Sequence, residues 1–408
     1  MLFVMLALGA PRAEKVVPAP TALSQYQQYS LTTGGTSLVV GTGIGARITS
    51  LKYQGAQMLH IGSGADMIWG STFWPSPQTY WTAACKSANT AGCFPPPTAL
   101  DPGAYTGGPV DADTTLTFTG AADSYTHLRF RKTFSADNGD SSFTNRYYMI
   151  NTSASPITWA PWEDTRFPSG GVSFFPSGAE PMAGNAPMLK QVKDTLGVTW
   201  FTWDSSAAIS GTPKIFGDGG AKGWMAHVDK SRVLFIKKFQ DTPPAKKAPT
   251  GENECEIYIS RAYLELELQG PYDPIPANDS VAWEVKWYVR KLPDNIAVGR
   301  NKPLVDFVNQ VVSSATSGLP GGAKTGEAGN GVRLEYRLHT VELELGRERD
   351  LSLALVDLRG GEVIHLHSGA LAAGRHVFSE VGLLHGTFWL IARERGGRVL
   401  QKRLLTKL

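Results

Sequence analysis

The chain has 408 residues, 42% hydrophobic and only 18% charged, which excludes a disordered polyelectrolyte and leaves ample apolar mass for a core. Its formal net charge of +3 is too small to argue for a nucleic-acid partner or an anionic membrane surface. With 44 Gly and 26 Pro and few long helical periodicities, the expectation is an all-β chain rich in turns, in two or three domains.

The first residues, "MLFVMLALGAPRAEK", are apolar from Leu2 to Ala10 and then polar. Small residues at Gly9, Ala10 and Ala13 suit a cleavage site, so residues 1–15 read as a secretory signal peptide, without the usual basic start. No later apolar run approaches the about 20 residues needed to cross a bilayer as a helix, so no membrane span is expected in the mature chain.

Successive strands follow. "TSLVV" (36–40), "RITSLKY" (47–53), "TLTFTG" (115–120), "HLRFRKTF" (127–134), "FTNRYYMIN" (143–151), "VTWFTW" (198–203), "RVLFIKKF" (232–239), "EIYIS" (256–260), "YLELELQ" (263–269) and "VAWEVKWYV" (281–289) alternate apolar with polar or are rich in β-branched and aromatic residues. Clusters of Gly, Pro, Asn and Asp separate them. Only residues 303–315 look helical, with Leu304, Phe307, Val308 and Val311 on one stripe and Pro303 suited to a first turn. So many strands in one domain imply two large packed antiparallel sheets over residues 20–312.

Composition breaks near residue 330. All the Pro lie before it, and residues 313–330 have the Gly- and Ser-rich makeup of a linker. From residue 331 to 408 the chain carries 12 basic and 9 acidic residues, a surplus of +3. About seven short strands with Gly turns predict a small immunoglobulin-like sandwich there.

Few chemical motifs survive scrutiny. "GTGIG" at 41–45 lacks the spacing and the following helix of a dinucleotide fingerprint, and reads as a hairpin turn. There is no G-x-S-x-G, P-loop or H-E-x-x-H, and no cofactor motif. The three Cys have no nearby His for a zinc site. Cys85 and Cys93 bracket a loop of small residues, where a local disulfide is plausible in an exported protein and two free thiols are the alternative.

Three stretches carry candidate site residues. "WGSTFWPSPQTYW" (69–81) is the densest aromatic cluster. Pro75 and Pro77 forbid a regular helix, so it reads as a loop that either plugs the sandwich or offers Trp74 and Trp81 as flat faces for a sugar ring, with Gln78 reading hydroxyls. "WAPWEDTRF" (159–167) sets Trp162 beside Glu163 and Arg166, either a partly desolvated polar site or an ordinary loop ion pair. In "YLELELQGP" (263–271), period 2 places Tyr263, Glu265, Glu267 and Gln269 on one face and Leu264, Leu266 and Leu268 on the other. The carboxylates are then either a site or a wetted outer face.

These stretches, in this order with "GARITSLKYQGAQML" (45–59), "LFIKKF" (234–239) and "ECEIYIS" (254–260), resemble the galactose-mutarotase-like superfamily over about 280 residues, and more closely an uncharacterised bacterial domain family within it. The resemblance implies a β-supersandwich whose concave face holds a saccharide. By likeness to the L-E-x-Q pattern of mutarotases, it implies Glu267 as a general base, with Glu265 as the alternate. Trp74, Gln78, Trp81, Trp162, Glu163, Arg166 and Lys237 are the expected saccharide-binding residues. The His that serves mutarotases as general acid has no counterpart in "INTSASPITWAPWEDTRF", so the expected function is saccharide binding first and sugar epimerisation second. A structural surface protein is the third reading.

Residues 331–408 resemble the C-terminal sorting domains of proteins exported by type IX secretion. "VDLRGGEV", "AAGRH" and the closing Gly turn before a Lys-containing strand carry the likeness. It implies secretion machinery as a partner and a secreted or cell-surface location, with export through the periplasm.

Overall fold

The computed structural model describes residues 13–16, 27–62, 67–88, 93–110, 114–204, 210–314 and, with short gaps, 332–407. Residues 1–12 of the expected signal segment and 315–330 of the expected linker lie outside these residues, and residues 313–314 belong to the helix Lys302–Ser314. The chain divides into two compact units, Met1–Ala315 and Thr316–Leu408. Both are almost wholly antiparallel β, the fold class the alternating sequence predicts.

The larger unit has a sheet of 12 strands and a sheet of 10. In the first, the strand Ser71–Ser76 lies beside Ile157–Pro168, followed in space by Tyr263–Gln269, Cys255–Ile259 and Lys214–Gly217. The second runs through Val172–Pro176, Trp224–Val228, Val233–Phe239, Ser280–Lys291, Ser142–Asn151 and Leu128–Asp137. One core is built from the facing sides of both sheets: Phe73, Phe167, Leu264, Leu266 and Leu268 from the first meet Phe130, Tyr147, Phe235 and Trp287 from the second. The helix Lys302–Ser314 covers the far side of the second sheet, and Leu304, Val305, Val308 and Val312 close a second core there. The strands beneath the helix are therefore buried on both faces, which explains the unbroken apolar run Val233–Ile236.

Two stretches expected as loops are central strands. Residues 71–76 and 157–168 pair with each other, and Pro75 stands opposite Pro161 in the register. A proline offers no N–H to a ladder and normally keeps a strand at the edge. Placing the two opposite each other confines both missing donors to one rung. The glycines of residues 41–45 do form a turn between the strands Thr36–Gly41 and Arg47–Tyr53. Cys85 and Cys93 form a disulfide with Cα atoms 6.0 Å apart, and Cys255 is a buried free thiol.

The smaller unit comprises a three-stranded and a four-stranded sheet. Leu334, Val341, Leu343, Leu351, Leu353, Leu355 and Leu390 form its core, so the alternation read in "VELEL" and "LSLALV" sets its inward face. Among the described residues, no helix is long and apolar enough to cross a membrane.

Candidate functional site

The register of five neighbouring strands builds a polar row on one face of the 12-stranded sheet. Asp164 pairs with Thr72 on one side and Glu267 on the other, and Glu267 pairs in turn with Glu256. One rung along, Arg166 pairs with Glu265, Glu265 with Tyr258, and Tyr258 with Lys214. On the other side of Asp164, Trp162 stands between Trp74 and Gln269. Side chains directly opposite on antiparallel strands share a face, so all of these project the same way.

This face is not wetted. Glu267 is 1% exposed, Glu265 7% and Asp164 1%, which removes the outer-face alternative for the two glutamates. The charges are held in an ordered network. Arg166 Nε donates to Glu265 Oε1 at 2.8 Å, Arg166 Nη1 donates to Thr72 Oγ1 at 3.1 Å, and Arg166 Nη2 donates to Asp164 Oδ2. Trp162 Nε1 and Lys214 Nζ both donate to Glu267 Oε2, at 2.9 and 2.7 Å. Lys214 also pairs with Glu256 at 2.5 Å. Gln269 Nε2 donates to Glu252 and Glu256.

Acid outweighs base here. Asp164, Glu256, Glu265 and Glu267 carry four negative charges when ionised against two positive ones on Arg166 and Lys214, a deficit of two. Burial is the main force raising the pKa of Asp164 and Glu256 well above the carboxylate range, with neighbouring acids adding to it. Burial likewise pushes Glu265 up to about 7, against the pull of Arg166. Burial disfavours the Lys214 ammonium, but Glu256 and Glu267 outweigh it and hold that pKa well above the ordinary lysine value.

The rim is aromatic. Tyr258 and Tyr263 are half-buried and stack with centroids 6.2 Å apart, and His60 stacks on Tyr263 at 5.0 Å. Lys214 lies over both Trp162 and Phe216, at 4.9 and 5.3 Å from their centroids. The partly exposed rings next to the carboxylates are thus tyrosines on the site strands.

The expected tryptophan platform is a packed wall. Trp74 is 2% exposed and Trp81 and Trp162 are buried. Trp74 meets Trp81, Trp162 and Phe94 edge-on, at 5.7, 5.3 and 5.6 Å. Trp74 Nε1 donates to Asp101, which also pairs with Arg47. Trp81 Nε1 donates to the Pro75 carbonyl. The cluster's indoles are packed against one another, with Phe94 as their exposed edge. Gln78 opens a short 3-10 turn, Gln78–Tyr80, that follows the strand Ser71–Ser76.

Glu163 and Lys237 are elsewhere. Both project into the interior between the sheets, where Lys237 Nζ lies 3.0 Å from Glu163 Oε1. Tyr147, Trp287 and Asn145 donate to the same carboxylate at 2.6, 3.0 and 3.3 Å. Lys237 also donates to the Leu266 carbonyl at 2.8 Å. The physical reason is strand parity: once residues 157–168 are a strand, Glu163 must point opposite to Trp162, Asp164 and Arg166. The expected set therefore splits. Glu265, Glu267, Trp162, Arg166 and Trp74 come together, whereas Glu163 and Lys237 join the two sheets. Asp164, Glu256, Tyr258 and Lys214 complete the face and were not singled out from sequence.

No family model and no curated protein matches the chain. Solved structures do. A putative aldose 1-epimerase from Escherichia coli K12 matches at 13% identity and TM-score 0.44, covering 65% of this chain and 99% of its own. A galactose mutarotase-like protein from Clostridium acetobutylicum matches at 11% and 0.43, covering 69% and 99%. Another from Lactobacillus casei matches at 13% and 0.40, covering 64% and 100%.

Proposed function

We propose that the larger unit binds a saccharide at the Glu265–Glu267 face. The observation that carries this reading is the conjunction on one sheet face of buried, oriented hydrogen-bonding groups with half-exposed tyrosine rings. Carboxylates and cations in fixed geometry select the hydroxyl pattern of a sugar, and ring faces cover its C–H surface. Tyr258 and Tyr263 supply the rings. Glu265, Glu267, Arg166 and Lys214 supply the polar contacts. The Trp74–Trp81–Trp162 wall keeps the floor dry, which strengthens each polar contact.

Epimerisation is the second reading. It is favoured by Glu267 Oε1, a buried carboxylate oxygen with no hydrogen-bond partner, free to accept the proton of an anomeric hydroxyl. Export through the N-terminal signal and sorting or anchoring by the smaller unit, at the cell surface or in the medium, complete the proposal.

The test is a glycan array probed with the full chain, followed by titration of the best ligand into the wild type and Tyr263→Ala. Binding weakened at least tenfold by the substitution is expected. A full array without a hit turns the reading to a structural surface protein. Polarimetry on the bound sugar separates binding from catalysis: anomer interconversion above buffer, lost in Glu267→Gln, establishes epimerisation.

A further inference from the structure

Asp164, Glu265 and Glu267 each offer a carboxylate oxygen within 4.8 Å of the others. In each, at least one oxygen is already held from outside the triad. Arg166 holds Asp164 Oδ2 and Glu265 Oε1, while Trp162 and Lys214 hold Glu267 Oε2. Asp164 Oδ1 and Glu267 Oε1 remain buried with no partner. An unpartnered buried carboxylate oxygen is costly, and two of them on paired residues call for a shared guest. Arg166, Trp162 and Lys214 fix the orientation of the triad, as hydrogen-bond partners fix metal ligands.

The charge identifies the guest. Lys214 is shared between Glu256 and Glu267 and Arg166 between Asp164 and Glu265, so two cations face four carboxylates and the ionised cluster is two positive charges short. We propose that Asp164, Glu265 and Glu267 hold one divalent cation, and that it is calcium. The donors are all oxygen, which suits a hard cation and disfavours zinc. Calcium takes about six to eight oxygens in flexible geometry, which suits carboxylates whose orientation Arg166, Trp162 and Lys214 already fix, whereas magnesium demands a near-ideal octahedron. Three carboxylate ligands leave about three to five coordination positions for water or another oxygen donor. The cation shares Glu265 and Glu267 with the proposed saccharide face, and its binding is tested with no sugar present.

Terbium luminescence tests it on the full chain after chelator dialysis, because Trp162 donates to Glu267 Oε2 at 2.9 Å and its indole can sensitise a lanthanide bound there. Expected are tryptophan-excited terbium emission, displacement by calcium with one-to-one stoichiometry, and weaker displacement by magnesium. Trp162→Phe is expected to lose most of the emission while calorimetry still shows calcium binding. Asp164→Asn, which removes one excess charge, is expected to weaken calcium binding at least tenfold. No emission and no calcium heat at millimolar concentration in the wild type overturns the proposal. Emission undiminished in Trp162→Phe, or calcium binding unchanged in Asp164→Asn, overturns the location.

Discussion

Glu163 and Asp164 are consecutive, yet their carboxylates lie on opposite faces of one sheet. Asp164 joins Arg166, Glu265 and Glu267 in the candidate site, and Glu163 meets Lys237, Tyr147 and Trp287 in the interior between the sheets. The two acids therefore answer to different experiments.

Breaking the Glu163–Lys237 pair is a stability lesion. Either Glu163→Gln or Lys237→Met leaves a buried group without its partner and is expected to cost on the order of 3–5 kcal/mol. The double substitution is expected to cost less than the sum of the two. Urea unfolding of all four proteins reads the coupling, and strict additivity would contradict the pairing.

Aromatic substitutions separate by burial. Trp74→Ala empties part of a packed wall and is expected to destabilise by about 3–5 kcal/mol. Tyr258→Ala and Tyr263→Ala remove half-exposed rings and are expected to cost about 1 kcal/mol or less in stability while weakening ligand binding. Equal losses of stability across the three would contradict the distinction between wall and rim.

The disulfide fastens the plug. Trp81 and Phe94 flank Cys85 and Cys93 and both rings touch Trp74. Closing this short loop is expected to contribute about 2 kcal/mol. Cys85→Ser with Cys93→Ser is expected to lower stability by that amount and to raise acrylamide quenching of tryptophan fluorescence. Unchanged quenching would show that the plug stays seated without the bond.

His227 sets part of the acid response. Burial lowers its pKa to about 3. Ser173 Oγ lies 3.0 Å from Nδ1, and Phe167 packs on the ring. The unfolded chain binds the proton near pH 6.5 and the folded chain only near 3, so between those values the unfolded state carries more protons. The contribution of His227 is thus fully present above pH 6.5 and falls as pH drops, by up to about 1.4 kcal/mol per pH unit. His227→Gln is expected to flatten the stability–pH curve between 6.5 and 3. An unchanged slope would contradict the burial of a neutral ring.

Much of the site strand was legible. Alternation in residues 263–269 puts Glu265, Glu267 and Gln269 on one face and the leucines in the core, as the structure has it. "WAPWEDTRF" was not legible as a strand. Its nine central positions are all buried, so both faces hide charge and no period-2 signal separates them. It also holds Pro161, which stands opposite Pro75 of the neighbouring strand. Asp164, Glu256, Tyr258 and Lys214 escaped for another reason. Lys214 pairs with Tyr258 and Asp164 with Glu267 across 44 and 103 positions, Glu256 and Tyr258 pair with Glu267 and Glu265 across an adjacent hairpin, and no single stretch records such a register.

The most direct measurement is calorimetric titration of the array-identified saccharide into the full-length wild type, Glu267→Gln and Glu163→Gln, each at a temperature where circular dichroism shows it folded. The account predicts that Glu267→Gln loses at least tenfold in affinity and Glu163→Gln retains affinity within about twofold. Loss with Glu163→Gln and none with Glu267→Gln would contradict the assignment of the binding face.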